Sequence, residues 1–202
     1  ESDLYIKVGN IGFERTWMKK LSQNAPHTII IDSSEGIELA HSSHGVTDPH
    51  TWMSTKNAKQ IARNIYQALV SINERDSAAY RQNYEALIDT IEATDMRLRE
   101  QLTRDKSQAF LIDHPALTYF ARDYELLQIP VEEEGREPSA AQLKKTIQLA
   151  KDKKVKVMFV QKQFETRSTK IVSQEMGAET ITINPLSHNW SEEMVSIAKK
   201  LK

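Results

Sequence analysis

Cysteine is absent from the 202-residue chain, as are long apolar runs and a large excess of either charge, and each absence closes a class of function. Without thiols there is no disulfide, no thiolate nucleophile and no cysteine-based zinc centre, so any metal must be held by histidine and carboxylate. The lack of disulfides does not choose between cytosol and periplasm. No apolar run approaches the ~18 residues needed to cross a bilayer, and the opening Glu1-Ser2-Asp3 has no secretory-leader pattern. The chain reads as soluble. Lys+Arg 27 balance Asp+Glu 28, a net charge of −1, so the phosphate-neutralising surface of a nucleic-acid binder is not expected. Glycine is scarce too, at six residues, which argues against a nucleotide cradle. There is no Gly-x-Ser-x-Gly elbow, no phosphate-binding glycine loop and no His-Glu-x-x-His helix. What is present, 39% hydrophobic and 27% charged residues, is ordinary for one or two small domains.

Leu4, Ile6 and Val8 alternate with polar neighbours and predict a strand, and Phe13, Trp17, Met18 and Leu21 predict a helix over 11–23. His27 to Asp32 is a short β-branched run closed by Ser33-Ser34, a second strand. Residues 39–50 have no period and read as a loop. Ser54 caps a helix to about Asn73, with Ala58, Ile61, Ala62, Ile65, Leu69 and Ile72 on one stripe. From Asp76 to about Arg104 runs a helix signal without Gly or Pro, on the order of 43 Å at ~1.5 Å per residue and too long for a crossover. Beyond it strand and helix alternate four times, with strands at 109–112, 126–131, 155–160 and 180–183. The helices are expected over 115–124, from Ser139, over 166–176 and from Ser191. Ser139-x-x-Gln142 is a capping box, Pro115 suits a first helical turn and Gly177 a helix stop. The pattern predicts an α/β protein of two lobes, each a parallel sheet flanked by helices, joined by one long helix. The expected boundaries are 1–75 for the N-terminal lobe, 76–105 for the linking helix and 106–202 for the C-terminal lobe. Two strands alone leave faces and edges uncovered, so the N-terminal lobe is expected to be incomplete, with the chain starting inside it.

Three of the six histidines fall within ten residues, as His41-Ser-Ser-His44-Gly-Val-Thr-Asp48-Pro49-His50. Neutral imidazole suits Zn²⁺, Mn²⁺ or Fe²⁺, and a loop on a rigid scaffold can aim it. Proline fixes its own φ and restricts the residue before it, so Asp48-Pro49 presents His50 at a set angle beside Trp52. An ordinary Asp-Pro turn with a helix-start histidine is the alternative. His114 stands at the carboxyl end of a predicted strand, where open parallel sheets bind ligands; its alternative is a helix N-cap with no ligand. Asn184 occupies the same kind of position after the last strand and offers only a neutral oxygen. His41 and His44 read as loop residues able to collect metal weakly. His188 reads as surface and His27 as structural, Glu132-Glu133-Glu134 as a solvated charge run, and Gln161 and Gln163 as amides near a cleft.

Asp48-Pro49-His50-Thr51-Trp52, the helix that follows, the 76–104 helix, His114-Pro-Ala-Leu-Thr-Tyr119-Phe120-Ala-Arg, Glu137-Pro138-Ser139-Ala-Ala-Gln142-Leu143 and Val160-Gln-Lys-Gln163-Phe164 occur in order. Together they resemble the metal-binding solute receptors of bacterial zinc and manganese ABC importers, the zinc-uptake type in particular, over essentially the whole chain. The resemblance implies metal bound in a cleft between two α/β lobes, with His50 the ligand of the first lobe and His114 of the second. A further ligand, usually an early histidine, lies in a segment not contained in this chain. Another is often the Asp of an Asp-Pro-Leu, where this sequence reads Asn184-Pro185-Leu186, and His41 with His44 resemble a shortened histidine-rich loop.

The implied function is capture of a divalent transition metal, Zn²⁺ first and Mn²⁺ second, and delivery to an ABC permease. The protein would act without catalysis, as a monomer, in the periplasm or on the outer face of the cytoplasmic membrane, with a lipid anchor upstream as one arrangement. Histidine-rich shells suit zinc better than calcium or magnesium. Two other functions stay open: a hydrolase using the same histidine pair, and a degenerate member or adhesin that binds metal weakly.

Overall fold

The computed structural model describes residues 2–42, 44–102, 108–132, 135–161 and 166–201. By internal contacts the chain divides into two units, Glu1–Ala93 and Thr94–Lys202. The first holds β1 (Leu4–Lys7), α1 (Gly12–Asn24), β2 (Ile29–Asp32) and α2 (Thr55–Ile72), and it contains the start of α3 (Ser77–Leu102). β1 and β2 pair in parallel with Leu4 opposite Ile29 and Lys7 opposite Asp32, and α1 is the crossover a parallel pair needs.

The turn from β1 into α1 is held by one buried carboxylate. Glu14, in the first turn of α1, accepts from the amides of Val8 at 2.8 Å and Gly9 at 2.9 Å. Gly9 has φ +91°, and a Cβ there would lie 2.2 Å from Ser34 Oγ, so only glycine fits. At the ends of the strands Lys7 Nζ donates to Asp32 Oδ2 at 2.8 Å. One face of α1 carries Phe13, Trp17 and Leu21 at four-residue spacing, 54%, 47% and 38% exposed, so this stripe is not part of the unit's core. α2 starts where the sequence places it: Ser54 Oγ accepts the Asn57 amide at 3.0 Å.

The second unit holds β3 (Ala109–Ile112), α4 (Thr118–Asp123), β4 (Leu127–Pro130), α5 (Ala140–Asp152), β5 (Val157–Gln161), α6 (Arg167–Met176), β6 (Glu179–Ile183) and α7 (Trp190–Lys200). Its strands run parallel in the order β4-β3-β5-β6. Alternate residues bury on opposite faces. Leu111, Met158 and Val160 pack with Ile129, Ala150 and Val172. Phe110, Ile112 and Phe159 are buried as well, with the two phenyl rings edge-on at 5.4 Å. A sheet covered on both faces explains these near-continuous apolar runs. Pro130 is tolerated because β4 is an edge strand.

α3 follows a short 3₁₀ turn at Glu74–Asp76 and has 26 residues. The division between the units falls inside it. Its last turns belong to the second unit. Leu98 is fully buried, the hydroxyls of Thr94 and Ser191 meet at 2.6 Å, and Arg97 grips Glu192 with two bonds at 2.6 and 3.0 Å. The stretch from 103 to 107, into which the helix was expected to run, lies outside the described residues.

α4 is shorter than the expected 115–124, because the first turn after β3 is not helical. Ala116 N donates to His114 O at 2.7 Å, and the Leu117 amide is taken by Gln128 Oε1 of β4 at 2.9 Å. That cross-strand acceptor replaces a helical turn. The capping boxes at Ser139/Gln142 and Thr166/Thr169 and the left-handed Gly177 at φ +58° are formed.

Candidate metal-binding site

The connection from β2 to α2 is a polar loop built on side-chain-to-backbone bonds. Asp32 Oδ1 accepts from Ser34 N at 2.9 Å and Ser34 Oγ at 2.6 Å as the chain leaves the strand. His41 then pairs with Thr47 in a single antiparallel bridge, and Asp48 N donates to Ala40 O at 2.9 Å. Asp48 Oδ1 accepts both the backbone amide of His50 at 2.8 Å and its ring Nδ1 at 2.7 Å. One carboxylate oxygen therefore closes the Asx turn and sets the ring. Both side chains are largely shielded, at 15% and 12% exposure, and the Trp52 ring centre lies 5.3 Å from that of His50. Thr51, Met53 and Ser54 are buried just after, which anchors the loop to the start of α2.

In the second unit the site grows from the carboxyl ends of β3, β4 and β5. Asp113, buried, accepts from His114 N at 2.6 Å and from Gln161 N at 2.9 Å, joining the ends of β3 and β5. Burial pushes its carboxyl above the ordinary range, and the two amide bonds only partly offset that. The amide of Glu132 donates to Asp113 O at 3.1 Å, which brings the end of β4 alongside. The Glu132 carboxylate is then bonded to His114 Nδ1. His114 is not a helix N-cap; Leu117 holds that position.

The two histidines share one chemistry. An ionised carboxylate only accepts, so the ring Nδ1 bonded to it must donate, and the lone pair of the neutral imidazole is then on Nε2. A carboxylate on the far nitrogen is the arrangement that orients metal-ligating histidines and raises their basicity.

The other expected residues divide. Asn184 Oδ1 accepts Leu186 N at 3.1 Å and so is engaged in its own turn, while Asn184 N donates to Glu193 Oε1 at 2.7 Å. His41 Nδ1 lies 3.3 Å from Thr47 Oγ1, and the His44 amide donates to Ser42 Oγ at 3.3 Å, so both serve the small turn. His27 and His188 are exposed. Glu132 is not part of a solvated run but the partner of His114; Glu133, Glu134 and Gln163 lie outside the described residues. Gln161 is buried, with its side-chain Nε2 lacking a partner. Among the described residues no group of three or more His, Asp or Glu is placed to hold a metal ion. The sequence marked Asp48-Pro49 as a turn that presents His50 but assigned no orienting partner to either ring, and nothing local links Glu132 to a histidine 18 positions away.

A family profile described as "Zinc-uptake complex component A periplasmic" matches residues 1–202. The chain belongs to this zinc-uptake family. It is 27% identical over 211 residues to the high-affinity zinc uptake system protein ZnuA of Bacillus subtilis (strain 168), a match covering 96% of this chain and 66% of that protein. The chain thus spans just under two thirds of that relative. A crystal structure of ZnuA, 34% identical, superposes with a TM-score of 0.92 over 100% of this chain and 78% of the other. A ZnuA deletion mutant with zinc bound, also 34% identical, gives 0.91 over the same shares. The α/β architecture with a long joining helix is that of these structures, and the family is one of transport components rather than enzymes.

Proposed function

We propose that this chain is the metal-capturing part of an extracytoplasmic receptor, which binds one divalent transition metal, Zn²⁺ first, and hands it to an ABC permease. The observation that carries this is the same device in each unit: an imidazole on a strand-to-helix connection with its Nδ1 bonded to a carboxylate, Asp48 for His50 and Glu132 for His114. Imidazole donors favour zinc; Mn²⁺ is the alternative cargo, because a shell completed by carboxylates would shift preference toward it. Asn184 is a weak further donor, since its oxygen would have to leave the Leu186 amide, and His41 and His44 are weak for the same reason. The family membership supports delivery to a permease, in the periplasm or at the outer face of the cytoplasmic membrane. Among the described residues no helix is long and apolar enough to cross a membrane.

A hydrolase using the same histidines is disfavoured. Asp48 and Glu132 are each already bonded to an imidazole Nδ1, and a receptor needs no activated water. A degenerate member that binds metal weakly predicts a different titration. Calorimetry with Zn²⁺ separates them: the receptor binds one ion tighter than about micromolar, roughly −8 kcal/mol, and His50→Ala and His114→Ala each abolish that affinity. Ester or phosphate turnover by the zinc-loaded protein would favour the hydrolase.

A further inference from the structure

Asp113 uses every polar atom it has at the carboxyl end of the second unit's sheet. Its amide donates to Phe159 O of β5 at 3.0 Å, and its carbonyl accepts from Glu132 N at 3.1 Å. The carboxylate divides between two further amides, with Oδ1 taking that of His114 at 2.6 Å and Oδ2 that of Gln161 at 2.9 Å. The residue is buried, at 1% exposure. One side chain and its own backbone thus tie together the ends of β3, β4 and β5.

A buried acid that closes a sheet end can be purely structural, and a single amide is held as well by asparagine or serine. Two features point further. Both members of the His114–Glu132 pair hang from Asp113, the backbone of one from its carboxylate and the backbone of the other from its carbonyl. The first unit, moreover, does the same work with a single group: Asp48 Oδ1 takes both the amide and the ring Nδ1 of His50. In the second unit these tasks are split, with Asp113 on the amide of His114 and Glu132 on its ring. A binding ring has to be held within about 0.5 Å of its productive place, so whatever fixes that backbone and its carboxylate partner together bears on affinity.

We propose that Asp113 is a positioning residue for the His114 ring, acting through the Glu132 carboxylate that it brings alongside. It is the second unit's counterpart of the amide-holding half of Asp48. The consequence for zinc rests on the receptor function proposed above; the consequence for the ring does not.

Asp113→Asn tests it, because asparagine keeps the size of the side chain but has one acceptor oxygen in place of two, and its NH₂ would face a donor amide. In the metal-free protein at alkaline pH, long-range nitrogen–proton NMR correlations are expected to show the Nδ1–H tautomer alone at His50 and His114 of wild type. In the variant the His114 ring is expected to sample both tautomers while His50 stays unchanged. Zinc affinity, read by chelator competition below the variant's unfolding midpoint, is expected to fall about tenfold. In a Glu132→Ala background the same substitution is expected to cost no further affinity, whereas a general loosening of the fold would make the two losses multiply. An unchanged His114 tautomer, an undiminished zinc affinity or multiplying losses overturns the proposal. Should Asp113→Asn not fold, wild type decides: the His114 and Gln161 amides are expected to resist hydrogen exchange, and free exchange of either overturns the assignment. If the tautomer changes as expected but wild type takes up no zinc, the receptor function fails while the positioning role stands.

Discussion

At the scale of single residues, Asp48 and Glu132 are each bonded to the Nδ1 of one imidazole and so set its orientation. Asp48→Ala and Glu132→Ala each remove the bond that fixes an Nδ1–H, and each is expected to weaken Zn²⁺ binding by about 10- to 100-fold. Competition against a chromophoric chelator reads that directly, and an unchanged affinity would show that the pairs are structural. Asp32 offers a separate check on the first unit. Its partial burial raises the carboxyl, but bonds from Lys7 and Ser34 outweigh that, and the group lies below its ordinary value of 3.8. An acid with a lowered folded-state value adds stability above its unfolded value and loses it as pH falls through the folded one. Acid unfolding followed by circular dichroism should therefore start at higher pH in Lys7→Ala than in wild type.

At the scale of elements, the legible parts are those whose cause is local. Ser54, Ser139, Thr166 and Gly177 end or start their helices through bonds within a few residues, and each can be read from sequence. Ser139→Ala or Thr166→Ala is expected to lower stability by about 1 kcal/mol, measured by urea unfolding, with zinc affinity unaffected. What failed to read had a distant cause. The first turn of α4 is replaced because Gln128 on β4 supplies an acceptor to the Leu117 amide, and Glu132 leaves its charge run because the end of β4 is tied to Asp113. Both depend on the register of β3 against β4, which no window of sequence contains.

For the whole molecule, two α/β units share one long helix, and each presents one carboxylate-backed imidazole. The sequence showed the architecture well, because buried parallel strands and uninterrupted helical periodicity are strong signals, and the ordered motifs pointed to both histidines. It was silent on what orients either ring. A ligand that binds only the folded chain raises its melting temperature with concentration, so Zn²⁺ should shift the thermal midpoint upward and Mg²⁺ should not. The central proposal is that tight Zn²⁺ binding depends on both His50 and His114. Calorimetric titration of Zn²⁺ into wild type, His50→Ala and His114→Ala tests it most directly. The expected result is one ion per chain in wild type, with tight binding lost in either variant. One tight site persisting in either single variant would contradict it.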